Sequence, residues 1–115
     1  MTLVTIYHNP KCSKSRQTLA LLEERDLELR IVRYLESPPS KSELADIVKM
    51  LGVTAADIVR TGEDEYQESG LTADSSESDV LDAIIIAPKL MQRPIVICGE
   101  QARVGRPPES ALEIL

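Results

Sequence analysis

The stretch LVTIYHNPKCSKSRQTLALL, residues 3–22, sets the fold. Its first five residues are apolar or β-branched and read as a strand. HNPKC turns the chain around Pro10. Ser13 is the expected cap of a helix whose apolar face carries Leu19 and Leu22. A second strand-like run, LELRIVRYL at 27–35, follows at once, with Leu29, Ile31 and Tyr34 as its apolar members. A strand, a helix and a strand this close together predict a right-handed parallel crossover.

Working outward, SPPSKSELADIVKMLG gives the clearest helix. Ser40 and Glu43 have capping-box spacing. Leu44, Ile47, Val48 and Leu51 repeat at i, i+3, i+4 and i+7, and Gly52 stops the helix. TAADIVR restarts behind Thr54 and ends at Arg60. Residues 62–70, GEDEYQESG, read as a surface loop or short helix. SSESDVLDAIIIAP reads as a helix closed by Pro88, with Val80, Leu81, Ile84 and Ile85 on its buried face. PIVIC at 94–98 is a buried strand, and GEQARV returns it as a hairpin. PPESALEIL begins on Pro107 and Pro108 and reads as a final short helix. The order implies an α/β chain with a small mixed sheet and helices on its faces.

The length of 115 residues suits one domain, here residues 1–115. With 43% hydrophobic and 28% charged residues, a folded core is expected. Net charge is −6, which argues against a general DNA or anionic-membrane binder. Three tyrosines and no Phe or Trp leave few base-stacking platforms. The longest apolar run, AIIIA, is too short to span a bilayer, and no secretory signal is visible in MTLVTIYHN. A cytoplasmic location is expected, and with it two free thiols at Cys12 and Cys98.

Against that acidic background, the residues around Cys12 are basic: Lys11, Lys14 and Arg16 with no acid among them. Cys12 sits where a strand gives way to a helix. Unpaired N–H groups and the helix dipole favour an anion there. A thiol at such a site is expected to ionise near neutral pH. Ser15 occupies the second site of a C-x-x-S arrangement, so the thiol that would resolve an internal disulfide is absent. Its hydroxyl is in reach of the Cys12 sulfur from one turn away. His8, the sole histidine, could lower the thiol pKa as imidazolium or orient the loop by a hydrogen bond. Arg60, Arg93 and Arg106 each lie at an element boundary, and guanidinium forks match oxyanions. Pro94, between Arg93 and the strand, is a candidate cis-proline. Cys98 reads as core. His8, Cys12 and Cys98 lack structural-zinc spacing and a fourth ligand, so no metal is expected.

The segments VTIYHNPKCSKSR, YLESPPSKSEL, the Arg60 region, RPIV and the GRP around Arg106 together resemble the glutaredoxin-linked arsenate reductase family. The resemblance runs from residue 4 to residue 107. It implies a thioredoxin-like fold with a four-stranded sheet and an inserted helical segment. It implies Cys12 as the nucleophile and Arg60, Arg93 and Arg106 around an arsenate oxyanion. His8 and Ser15 would support the cysteine, and Pro94 would be cis. It further implies glutathione as co-substrate, glutaredoxin as partner, and no bound cofactor. Two alternatives share this fold. One is a glutathione-dependent thiol oxidoreductase acting on another substrate. The other is a redox regulator that binds RNA polymerase; such proteins typically carry CxxC, and Ser15 argues against it.

Overall fold

The computed structural model describes residues 2–115. The chain divides into two compact units, Met1–Ser37 with Arg93–Leu115, and Pro38–Gln92.

The first unit holds the sheet. Strands β1 (Thr2–Tyr7), β2 (Leu27–Val32), β3 (Ile95–Cys98) and β4 (Gln101–Val104) are ordered β2-β1-β3-β4. β2 runs parallel to β1, while β3 and β4 run antiparallel to their neighbours. This is the thioredoxin-like sheet that the sequence implies. Helix α1 (Ser13–Glu23) connects β1 to β2, as crossover geometry requires of parallel neighbours. Register places Val4 opposite Cys98 and Ile6 opposite Val96. Val4, Ile6 and Val96 therefore share a face. Leu22 of α1 and Ala111 and Ile114 of the C-terminal 3₁₀ segment Pro108–Ile114 pack with them. Cys98 is half-buried against this cluster rather than enclosed in it.

Several elements differ from the sequence reading. β2 stops at Val32, not at 35, because β1 ends at Tyr7 and offers no further partner. A turn then forms, with the N–H groups of Glu36 and Ser37 donating to the Arg33 carbonyl. The cap of α1 is Cys12, not Ser13, which is already helical. The C-terminal segment is 3₁₀ rather than α.

The second unit is helical. In α2 (Lys41–Leu51), Ser40 and Glu43 form the reciprocal capping box, and Gly52 ends the helix at φ 73°. TAADIVR makes only a 3₁₀ turn, Ala55–Ile58. The acidic stretch forms α3 (Asp64–Ser69), and α4 spans Glu77–Ile86. Ala83 takes the buried place expected of Ile85, which is half-buried. Lys41 ties α2 to α4 through Ser78 (2.7 Å) and Asp82 (2.9 Å). Val59 leaves the turn in extended backbone and bridges Met91, and Arg60 N–H donates to the Leu90 carbonyl. No helix among the described residues is long and apolar enough to cross a membrane.

Candidate active site

Cys12 is the N-cap of α1, and its backbone is extended there (φ −95°, ψ 123°). The preceding turn closes when Cys12 N–H donates to the Asn9 carbonyl at 3.0 Å. Asn9 Oδ1 in turn accepts from Lys11 N–H, and Arg16 Nη1 donates to the Pro10 carbonyl. These bonds fix a loop rich in turn formers. They also spend Arg16 on the loop itself. Lys11 and Lys14 are exposed.

Burial pushes the Cys12 thiol up, but three influences outweigh it. They are the Ser15 N–H, the hydrogen bond and charge of Arg93, and the Lys14 N–H. The thiol pKa therefore lies below its ordinary value, as the sequence reading expected. No full capping bond reaches the sulfur. The N–H groups of the first turn act on it as they would on any anion at a helix start.

Ser15 acts otherwise than expected. Its hydroxyl does not turn to Cys12. It lies 2.6 Å from His8 Nδ1 and accepts from Asn9 N–H at 3.0 Å. Ser15 is fully buried and His8 nearly so, so the pair closes in the interior of the loop. Burial lowers the His8 pKa, and Arg33 and Arg16 add to this against the opposing pull of Glu23. The ring is thus neutral at pH 7, and its tautomer decides whether Nδ1 donates to the Ser15 hydroxyl or accepts from it. His8 orients the loop and is not a cation for the thiolate.

Arg93 and Arg106 reach the sulfur from the far end of the chain. The Arg93–Pro94 peptide is cis, as anticipated, and so is Arg106–Pro107, which was not. Arg106 Nη2 lies 3.7 Å from Cys12 Sγ, and Arg106 Nε donates to the Arg93 carbonyl at 2.8 Å. The two arginines are therefore held to each other as well as to the sulfur. Among the described residues, Arg93 Nε and Nη1 are buried with no hydrogen-bond partner. A buried donor left unpaired costs about 1–3 kcal/mol, more when charged. The Arg93 guanidinium also bonds the Cys12 sulfur, so its charge would meet an anion held at the thiolate.

Arg60 belongs to the second unit. There its Nε pairs with Glu63 at 3.2 Å, and Lys89 meets the other Glu63 oxygen at 3.5 Å. Among the described residues, no group of three or more His, Cys, Asp and Glu side chains could hold a metal ion. The remaining chemistry is that of an activated thiolate flanked by guanidinium donors: nucleophilic attack on an electrophile carried by an anion.

The ArsC family pattern matches residues 7–114 of the chain. A protein of Escherichia coli strain K12 bearing the name "Uncharacterized protein YfgD" is 49% identical over 97% of this chain and 96% of its own. The "Arsenate reductase" of Haemophilus influenzae is 46% identical over 97% of this chain and 98% of its own. Among solved structures, "Arsenate reductase from Vibrio cholerae" superposes with a TM-score of 0.94 at 46% identity, covering 99% of this chain and 98% of that one.

Proposed function

The chain belongs to the ArsC family, and on that footing we propose that it reduces arsenate to arsenite, with Cys12 as nucleophile and glutathione and glutaredoxin as reductants. The observation that carries this reading is Arg93: two buried, unpartnered guanidinium nitrogens beside a stabilised thiolate.

In the proposed reaction, the Cys12 thiolate attacks arsenic. A sulfur–arsenic bond forms, and an oxygen of arsenate leaves as water after taking a proton. Arg93 and Arg106 offset the charge on the remaining oxygens. Arsenic is still As(V) at this point. Glutathione attacks arsenic in the adduct, and a second oxygen leaves as water. The glutaredoxin thiolate attacks the glutathione sulfur; the bond from that sulfur to arsenic breaks with its electron pair going to arsenic, leaving As(III) and a glutaredoxin–glutathione mixed disulfide. One water then displaces Cys12 from As(III), so arsenic departs as arsenite and Cys12 returns as thiolate. Arsenate and two thiols thus give arsenite, one disulfide and water. Ser15 supports the borrowed reductant, since the chain has no second thiol at that position. Arg60 carries over from the family resemblance as a third arginine for the oxyanion. The reaction belongs in a reducing compartment, the cytoplasm, where glutathione is kept as the thiol.

The test is arsenate-dependent NADPH oxidation coupled through glutathione, glutaredoxin and glutathione reductase. Cys12→Ser is expected to abolish turnover. Arg93→Ala is expected to lower kcat/KM by about 100-fold or more, the usual cost of removing a donor to developing charge. An unchanged rate in Arg93→Ala would retire the anion-binding role. Disulfide reduction without any arsenate turnover would instead identify a general thiol oxidoreductase.

A further inference from the structure

Gly105 is buried between the two parts of the first unit that carry the candidate site. On one side lies Thr18 of α1, fully buried, its hydroxyl donating to the Lys14 carbonyl at 2.8 Å. On the other lies Pro94, whose carbonyl accepts from Gly105 N–H at 2.9 Å. The Val104 carbonyl accepts from Arg106 N–H, also at 2.9 Å, closing a tight turn on Gly105 itself. A β-carbon at Gly105 would stand 2.6 Å from Thr18 Oγ1, 3.1 Å from Thr18 Cγ2 and 2.8 Å from Pro94 Cγ. Two of these distances are closer than β-carbons pack. Thr18 cannot simply swing aside without giving up its bond to Lys14, and the proline Cγ can shift only by a change of ring pucker.

The elements meeting at this point are the ones that carry the chemistry. Thr18 lies on the helix that begins at Cys12. Pro94 follows Arg93, and Gly105 itself precedes Arg106. We propose that Gly105 is a positioning residue for the thiolate: its missing side chain sets the spacing between the helix start carrying Cys12 and the backbone carrying Arg93 and Arg106. Any side chain there wedges α1 away from Pro94. The Arg93 contact to the sulfur then lengthens, together with the 3.7 Å approach of Arg106. The proposal rests on Arg93 and Arg106 being the groups that serve Cys12.

The experiment measures the pH profile of Cys12 alkylation by iodoacetamide in full-length Gly105→Ala, read from the mass of the Cys12 peptide. The expected result is a midpoint about one unit higher than in wild type, as follows when a cation is withdrawn from an ionised group. That corresponds to roughly tenfold slower alkylation at pH values below both midpoints. Gly99→Ala is the control for lost stability alone. Gly99 has φ 62° in the β3–β4 turn, and its β-carbon would meet nothing within 4 Å. That variant is expected to be less stable with an unmoved midpoint. A folded Gly105→Ala with the wild-type midpoint overturns the proposal. Should Gly105→Ala fail to fold, Gly105→Ala/Thr18→Ala carries the test, with Thr18→Ala as its reference. The 2.8 Å clash with Pro94 remains in the double variant, so the midpoint is still expected to rise, and an unshifted one overturns the proposal equally. Alkylation requires no arsenate. A shifted Gly105→Ala midpoint with no arsenate turnover in wild type keeps the positioning role and removes the reductase reading; turnover with an unshifted midpoint does the reverse.

Discussion

His8 binds its proton less readily in the fold than in the unfolded chain, because burial and the neighbouring Arg33 and Arg16 disfavour the charged ring. The unfolded ring titrates near pH 6.5 (approximately its free value). Between the folded midpoint and about 6.5, the unfolded chain therefore holds more protons, and stability rises with pH. The His8 contribution is complete above that range and is lost as pH falls through it. Since His8 is the sole histidine, one ring signal reports it. NMR titration is expected to give a midpoint below about 6.5, and urea unfolding is expected to show stability declining as pH drops beneath that value. A midpoint above neutral pH would make His8 a cation at pH 7, with Nδ1 donating to Ser15. Cys12 works in the same direction at higher pH. Its contribution is present above the free-thiol value and is lost as pH falls through the folded one.

The helices α1 and α2 begin in contrasting ways. α2 has both bonds of the capping box, with Ser40 Oγ accepting from Glu43 N–H at 3.1 Å and Glu43 Oε1 accepting from Ser40 N–H at 3.2 Å. α1 has no acid in its first turn and a sulfur where an oxygen cap would stand. The start of α2 serves stability, and the start of α1 is left for an anion. Ser40→Ala is expected to lose about 1 kcal/mol. Cys12→Ser supplies a capping oxygen and is expected to lose none below the folded Cys12 midpoint, where the wild-type sulfur is a neutral thiol. Urea unfolding at a pH below that midpoint, located by the alkylation profile, compares the two. A Cys12→Ser protein less stable than Ser40→Ala would show that the thiol, not its charge, holds the helix start.

Across the whole chain, a net charge of −6 repels an arsenate dianion. Lys11 and Lys14 are the exposed positive charges nearest Cys12 in sequence, so they oppose this repulsion where the anion must arrive. Replacing both by Gln is expected to lower kcat/KM for arsenate a few-fold at low salt, with little change in kcat. The difference should shrink as salt rises past ~0.15 M, where the screening length falls to about 8 Å. An effect independent of salt would mean that these lysines touch the substrate directly.

Much of this molecule follows from short-range chemistry. The capping of α2, its arrest at Gly52, the apolar spacing of Leu44, Ile47 and Val48, and the hairpin at Gly99 depend on residues within a turn or two of one another. The basic surroundings of Cys12 are equally local, and the family motif marks Arg93 and Arg106 as partners for it. Longer-range packing settled what local pattern leaves open. β2 ends at Val32 because β1 ends at Tyr7, which nothing in LELRIVRYL encodes. The Ser15 hydroxyl faces two acceptable partners, and the fold of the 7–12 loop gives it His8 instead of the sulfur. The Arg106–Cys12 contact joins positions 94 residues apart, and the closeness of Gly105 to Thr18 and Pro94 arises the same way. Sequence by itself determined which groups could carry the chemistry and how each element starts. Pairing of β1 with β3 and packing of α1 against the β4 end decided which of those groups meet, because such distances are set by the whole sheet and by no single segment.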